Sequence, residues 1–325
     1  MKIEHIKQKI IKIGISVVAC TFFLAGCTEA KTDSLHVGAM KGPTSIGVLP
    51  MIQEDAGDNY EFHMATAADE LVPLMAKGEL DIALVPANVA AILYQKMQGG
   101  VRVMDINTLG VLYFVSGDKE IRSIEDLRHT TIYMTGKGTT PEATVRYVLH
   151  VAGFEEEEYT LEFKSEPTEV AAILAQDPNA VALLPQPFVT VALSKNENLE
   201  ICMDMNELWQ EVSPDGASMV TGVTVVRSEV LKNHPKAVAQ FLAEHEKSVE
   251  ALTENLEQNA AYAVEAGILP SQELAKEAIP LCNIVCITGQ EMREALSGYL
   301  EVLAAFDLQL VGGALPDDAF YFVGN

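Results

Sequence analysis

The sequence predicts an α/β protein built as two matched lobes. Three observations carry this expectation: strand-like apolar runs alternate with helical patterns from Leu35 onward, one strand–loop–helix arrangement is written twice, and apolar segments lead out of the first copy and back. Such alternation gives a mostly parallel sheet covered by helices, because a helix between two strands returns the chain to the same side of the sheet.

In the first copy, Leu35 to Met40 reads as a strand, and Lys41-Gly42-Pro43-Thr44-Ser45 as a loop opening a short helix, Ile46 to Glu54. Asp69 to Lys77 has acidic residues first, lysine last and Gly78 beyond, the marks of a capped amphipathic helix. Glu79 to Val85 is a short apolar strand running into Pro86-Ala87-Asn88, which start a helix over Val89 to Gln98. The second copy has a strand at Thr130 to Thr135, a glycine-threonine loop to Pro141, and a helix from Glu142 to Val151. A helix at Val170 to Ala175 precedes a strand at Ala180 to Leu184, and Pro185-Gln186-Pro187-Phe188 opens the next helix. Gly42 precedes Pro86 by 44 residues and Gly138 precedes Pro185 by 47, so the copies keep the same internal spacing.

Val111 to Ser116 leaves the first copy, and the β-branched run Ser218 to Val226 leads back. Beyond Ser228 the pattern is almost wholly helical: Pro235 to Glu254, Leu256 to Ala266, Gln272 to Ala278 and Gln290 to Phe306. The expected organisation is lobe I over residues 35–112 and 225–325 and lobe II over 113–224, with the two strand crossings as a hinge.

Lys2, Lys7, Lys9 and Lys12 precede an apolar run to Ala25, the pattern of a secretory signal peptide too short to span a bilayer comfortably. Leu24-Ala25-Gly26-Cys27 resembles a bacterial lipobox, which implies removal of residues 1–26, lipidation of Cys27, a linker over 27–34, and residence on the outer face of a bacterial membrane. That removal takes four lysines and one glutamate and moves the formal charge from -24 to -27. So acidic a surface repels phosphate backbones, which disfavours nucleic acid as a partner.

Cys202, Cys282 and Cys286 remain, too few for a disulfide framework, and read as small buried hydrophobes with a Cys282–Cys286 disulfide as the alternative. The seven histidines are scattered, so no metal site is expected, and no cofactor. No G-x-S-x-G or Walker A sequence is present. Acidic runs such as Glu155 to Glu158 and Asp317-Asp318 read as solvated surface.

Ligands of open α/β sheets bind beyond the carboxyl ends of the strands, where loops open into helix N-termini. The candidate ligand-binding residues are therefore Lys41, Gly42, Pro43, Thr44 and Ser45, Ala87 and Asn88, Gly138, Thr139 and Thr140, and Gln186 with Phe188. Gly42 and Gly138 allow close backbone approach, the hydroxyls and free N–H groups suit a polar or negative group, and Lys41 supplies charge. Thr140 before Pro141 reads as an N-cap. Phe188 and Trp209, the only tryptophan, are candidates to stack on a planar ligand, core packing being the alternative.

The runs Lys41 to Thr44, Lys77 to Asn88, Ser123 to Arg128 and Thr135 to Glu142 resemble those of solute-binding lipoproteins of ABC importers, closest to the nitrate/sulfonate/taurine and thiamine-precursor type. The resemblance covers essentially the whole mature chain. It implies a type II periplasmic-binding fold, closure of two lobes on a small polar or anionic solute, and delivery by a monomer to a membrane permease driven by a cytoplasmic ATPase. It implies no catalysis. The alternatives are a surface sensor on the same scaffold and a pyrimidine-precursor enzyme, the latter lacking the cysteine cluster that such chemistry would need.

Overall fold

The computed structural model describes residues 34–54, 59–214 and 217–324; the signal peptide and Cys27 lie outside them. From the start run β1 (Leu35–Met40), α1 (Pro43–Ile46), α2 (Leu49–Glu54), β2 (Tyr60–Ala65), α3 (Ala68–Lys77), β3 (Ile82–Pro86), α4 (Ala87–Lys96) and β4 (Val101–Leu109). Next come β5 (Leu112–Ser116), β6 (Thr131–Met134), α5 (Thr140–Val151), β7 (Thr160–Phe163), α6 (Pro167–Gln176), β8 (Val181–Pro185), α7 (Phe188–Lys195), β9 (Glu200–Asp204) and α8 (Met205–Val212). The chain finishes with β10 (Val220–Arg227), α9 (Ser228–Asn233), α10 (Pro235–Glu254), α11 (Leu256–Glu265), α12 (Gln272–Ala278), β11 (Ile284–Thr288) and α13 (Gly289–Phe306).

The strands form a six-stranded sheet, β11-β4-β10-β3-β1-β2, and a five-stranded sheet, β7-β6-β8-β5-β9. In the first, β1 runs parallel to β2 and β3, and β10 is antiparallel to β3 and β4. In the second, β6 runs parallel to β7 and β8, and β5 is antiparallel to β8 and β9. The two sheets thus share one topology, three parallel strands joined to an antiparallel one, and in each the antiparallel strand is the segment arriving from the other sheet. The duplicated sequence pattern is a duplicated sheet order and the fold is α/β as expected, but the sheets are mixed rather than mostly parallel, because β10 and β5 pair antiparallel with the strands on both sides of them.

Local signals act as read. All of β3 is buried, which its unbroken Ile-Ala-Leu-Val-Pro run requires. In α3, Glu70 accepts from the backbone N–H of Thr66 and Ala67 at 2.9 and 3.0 Å, and Gly78 ends the helix at φ 77°. Five strands were not legible in the sequence. β2, β4, β7 and β9 carry polar residues between apolar ones, and β11 interrupts the stretch expected to be helical after Ser228. Its Ile-Val-Cys-Ile-Thr run is β-branched and pairs antiparallel with β4, which supplies the partner that makes it a strand.

Ser34–Asn325 forms one compact unit. Beyond the two crossings, Leu109 to Leu112 and Val212 to Val220, later helices also join the halves: α12 packs on α7, and Tyr299 of α13 stacks 4.9 Å from Trp209 of α8. Tyr299 is fully buried and its hydroxyl lies 2.8 Å from Thr144 Oγ1 of α5. Among the described residues no helix is long and apolar enough to cross a membrane.

Candidate ligand-binding cleft

Six loops surround a cleft of about 850 Å³, and each follows the carboxyl end of a parallel strand. From the six-stranded sheet come Met40 to Thr44 after β1, Thr66 to Glu70 after β2, and the β3–α4 junction with Pro86, Val89, Ile92 and Lys96. From the five-stranded sheet come Thr135 to Thr139 after β6, Lys164 and Ser165 after β7, and Pro185 with Phe188 at the β8–α7 junction. Leu112 of β5 and Thr221 of β10, from the antiparallel strands, complete the lining. Val89, Ile92 and Lys96 share one face of α4 because residues three and four apart lie above one another on a helix.

Of the expected site residues, Lys41, Gly42, Pro43, Thr44, Gly138, Thr139 and Phe188 line this cleft. Ser45, Ala87, Asn88, Thr140, Gln186 and Trp209 do not, and each has another role or place. Ser45 is buried and donates to the Gly42 carbonyl at 3.1 Å, closing the turn into α1. Ala87 is buried in the apolar core. Asn88 Nδ2 donates to the Gly138 and Leu310 carbonyls at 3.2 and 3.3 Å, and its Oδ1 accepts from Thr140 Oγ1 at 3.3 Å. It ties α4 to the start of α5, one helix from each half. Thr140 is therefore not the N-cap; Thr139 holds that position in an extended conformation and donates from Oγ1 to Gly136 O at 2.7 Å. Gln186 Oε1 accepts from Thr190 Oγ1 at 2.9 Å, turned onto the first turn of α7. Trp209 is fully buried, packed between Tyr147 and Tyr299 with its indole N–H donating to Ala217 O at 2.8 Å, so its ring has no free face for a ligand.

The loops after β2 and β7 were absent from the sequence expectation because their strands were. They add Thr66, Asp69, Glu70, Lys164 and Ser165 to the lining.

Charge sets the character of the cleft. Lys41, Lys96, Lys137 and Lys164 line it in a protein that is otherwise strongly acidic. Lys164 is held by Glu162 at 2.6 Å, which raises its pKa above the usual lysine range, whereas Lys41, Lys96 and Lys137 have no carboxylate within 4.0 Å among the described residues. Glu70 is already engaged with backbone N–H groups. Asp69 and Glu70 also line the cleft, but the four lysines outnumber them, so an anion entering here meets a net positive lining. The walls are largely apolar, with Val72, Pro73, Val89, Ile92, Leu112 and Phe188 among them. Thr221, only 7% exposed, has a hydroxyl with no hydrogen-bond partner among the described residues.

Thr44 sits tightly over β10: a Cβ at Gly222 would lie 2.5 Å from Thr44 Cγ2 and 2.6 Å from Asn107 Oδ1. Gly222→Ala should therefore displace Thr44 toward the cleft and destabilise the protein by about 1–3 kcal/mol. Urea unfolding checks it, and an unchanged midpoint would contradict this close approach.

The family model described as Menaquinone biosynthesis matches residues 43–304. The chain belongs to the menaquinone biosynthesis family. This family member also resembles solved structures of transport proteins. An ABC transporter structure from Parabacteroides distasonis is 24% identical with a TM-score of 0.73, covering 89% of this chain and 98% of that one. The periplasmic aliphatic sulphonate binding protein of Escherichia coli is 14% identical with a TM-score of 0.68, covering 85% and 88%. The alkanesulfonate-binding protein of Xanthomonas axonopodis pv. citri, bound to MOPS, is 13% identical with a TM-score of 0.66, covering 89% and 96%. These similarities establish the periplasmic-binding-protein fold for the menaquinone biosynthesis family chain. No curated protein matches the sequence.

Proposed function

We propose that this protein is the extracytoplasmic solute-binding component of an ABC importer, anchored through a lipid on Cys27 once residues 1–26 are removed. It captures a small anion with an apolar body and hands it, as a monomer, to a membrane permease driven by a cytoplasmic ATPase. The observation that carries this reading is the cleft: six matched loops from two sheets set three lysines and a buried Thr221 hydroxyl, without carboxylate or hydrogen-bond partners among the described residues, around apolar walls. Apolar lining with a few convergent polar groups is the usual character of a small-molecule site. The neighbours' transport roles support the same reading, as does the binding of an organic sulfonate by one of them.

Lobes over 35–112 with 225–325 and over 113–224 would close on the ligand through the crossings at Gly110 and before β10. Because α12 rests on α7 and Tyr299 against Trp209, that movement is a small shear of packed helices with adjustment of the loop tips.

Thr221→Val tests the site. A buried hydroxyl without a partner is costly, so an isosteric methyl should leave the free protein as stable or about 1 kcal/mol more stable. If the ligand satisfies that hydroxyl, affinity should fall about tenfold. Native mass spectrometry of protein from its own host supplies the ligand, and calorimetry with that compound measures the change. Recovery of no small molecule, or equal affinities for the two proteins, would count against the reading.

The family's description favours a second reading, in which the same cleft performs a step on an anionic precursor. Incubating the recovered ligand with the protein separates the two: binding alone leaves its mass unchanged, and catalysis converts it.

A further inference from the structure

Away from the cleft, three residues far apart in sequence converge inside the layer of the six-stranded sheet. Asp105 of β4, His245 of α10 and Cys286 of β11 place their side-chain donor atoms within 4.8 Å of one another. Asp105 and His245 are fully buried, and none of the three lines the cleft.

The contacts share one atom. Asp105 Oδ2 lies 3.4 Å and Cys286 Sγ 4.0 Å from the same nitrogen, His245 Nδ1. Both contacts are long, 3.4 Å lying beyond the usual span of about 2.7–3.2 Å for an N–H···O bond. This is not a proton relay, which would engage opposite ring nitrogens. Donors around a tetrahedral zinc ion, bonded at about 2.0–2.1 Å through N and O and about 2.3 Å through S, stand roughly 3.3 Å apart for N and O and 3.5 Å for N and S. The oxygen–nitrogen spacing of 3.4 Å matches that edge, the sulfur–nitrogen spacing of 4.0 Å exceeds its edge by about half an ångström, and the three atoms lie within 4.8 Å of one another, so the sulfur must move in on both partners.

The carboxylate is oriented from behind, whereas His245 Nε2 is buried with no hydrogen-bond partner among the described residues. Thr224 Oγ1 donates to Asp105 Oδ1 at 2.8 Å and accepts from Asn107 Nδ2 at 3.2 Å, so one carboxylate oxygen is oriented from behind and the other is left for the shared point. Cys286 is half-buried on an edge strand, which provides a route in.

We propose that Asp105 Oδ2, His245 Nδ1 and Cys286 Sγ form a binding site for a divalent transition-metal ion of borderline softness, zinc foremost, with water as the fourth ligand. A mixed N, O and S set selects such an ion over calcium or magnesium, which take oxygen ligands. Without metal the thiol stays protonated, its pKa driven far up by burial and then by the Asp105 charge. Binding deprotonates it, the proton passing to solvent, and the cation compensates both anions. The bound ion would cross-link edge strand β11 and helix α10 to β4.

Cobalt(II) titration of the full chain provides the test, because a thiolate ligand adds a charge-transfer band to the visible bands of a tetrahedral ion. One equivalent should bring up that band, and Cys286→Ser, a change at a half-buried position that keeps shape, should remove it. Asp105→Asn should weaken binding at least about tenfold. Zinc should raise the wild-type Tm by about 5 °C and shift the Cys286→Ser protein much less. The same comparison excludes Cys202 and Cys282, which both proteins retain. Absence of a cobalt spectrum, a thiolate band that survives Cys286→Ser, or equal zinc shifts in the two proteins would overturn the assignment.

Discussion

Replacing Trp209 by alanine is expected to lower unfolding stability by about 3–5 kcal/mol while leaving ligand affinity within about twofold. The ring is fully buried, lies 5.1 Å from Tyr147 and 4.9 Å from Tyr299, and its N–H is bonded to Ala217 O. Removing it deletes the largest side chain of the core, breaks an aromatic cluster, and leaves the Ala217 carbonyl only its longer 3.4 Å bond from Ser213 Oγ. Tyr147 belongs to α5 and Tyr299 to α13, so the cavity would open where the two halves meet. The affinity half of the expectation follows from Trp209's absence from the cleft lining. Urea unfolding and calorimetry on the same preparation measure both. A large loss of affinity with little loss of stability would return Trp209 to the binding site.

Charge removal at the cleft should do the reverse. Lys41→Gln combined with Lys137→Gln is expected to weaken binding of an anionic ligand about 30-fold and to change stability by less than about 0.5 kcal/mol. The two lysines stand on the loops after β1 and β6, one from each sheet, and neither has a carboxylate partner among the described residues. Each is exposed in the free protein, so its contribution is set near 1 kcal/mol, well below that of a buried pair. The wild-type affinity should also fall as salt rises, and the double variant's should do so less. Titration with the ligand recovered from the host, at low and moderate salt, decides it; affinity and salt slope both unchanged would mean that the anion is read elsewhere. Taken together, the two variants separate packing from recognition, because each should move one readout and spare the other.

Most of the scaffold was visible in local patterns. The helices Asp69–Lys77, Pro235–Glu254 and Gln272–Ala278 carry their periodicity within their own residues, so they could be read without knowing any neighbour. The repeated spacing from Gly42 to Pro86 and from Gly138 to Pro185 revealed two equivalent sheets, since strand, loop and helix lengths are set by the same geometry in both copies. Lys41, Gly42, Thr44, Gly138 and Phe188 could be placed at one cleft because loops after parallel strands share one edge of a sheet.

Side-chain direction was the missing information. Thr140 and Asn88 looked as available to a ligand as Thr139, yet they face each other between α4 and α5, and only the packing of one half on the other determines that. Lys164 and Thr66 came to the cleft through edge strands whose mixed composition hides them until a neighbouring strand pairs with them. Asp105, His245 and Cys286 are 140 and 41 residues apart along the chain. Periodicity assigns each to an element, but their meeting at one nitrogen depends on β11 pairing with β4 and α10 lying over both, distances that no local pattern encodes.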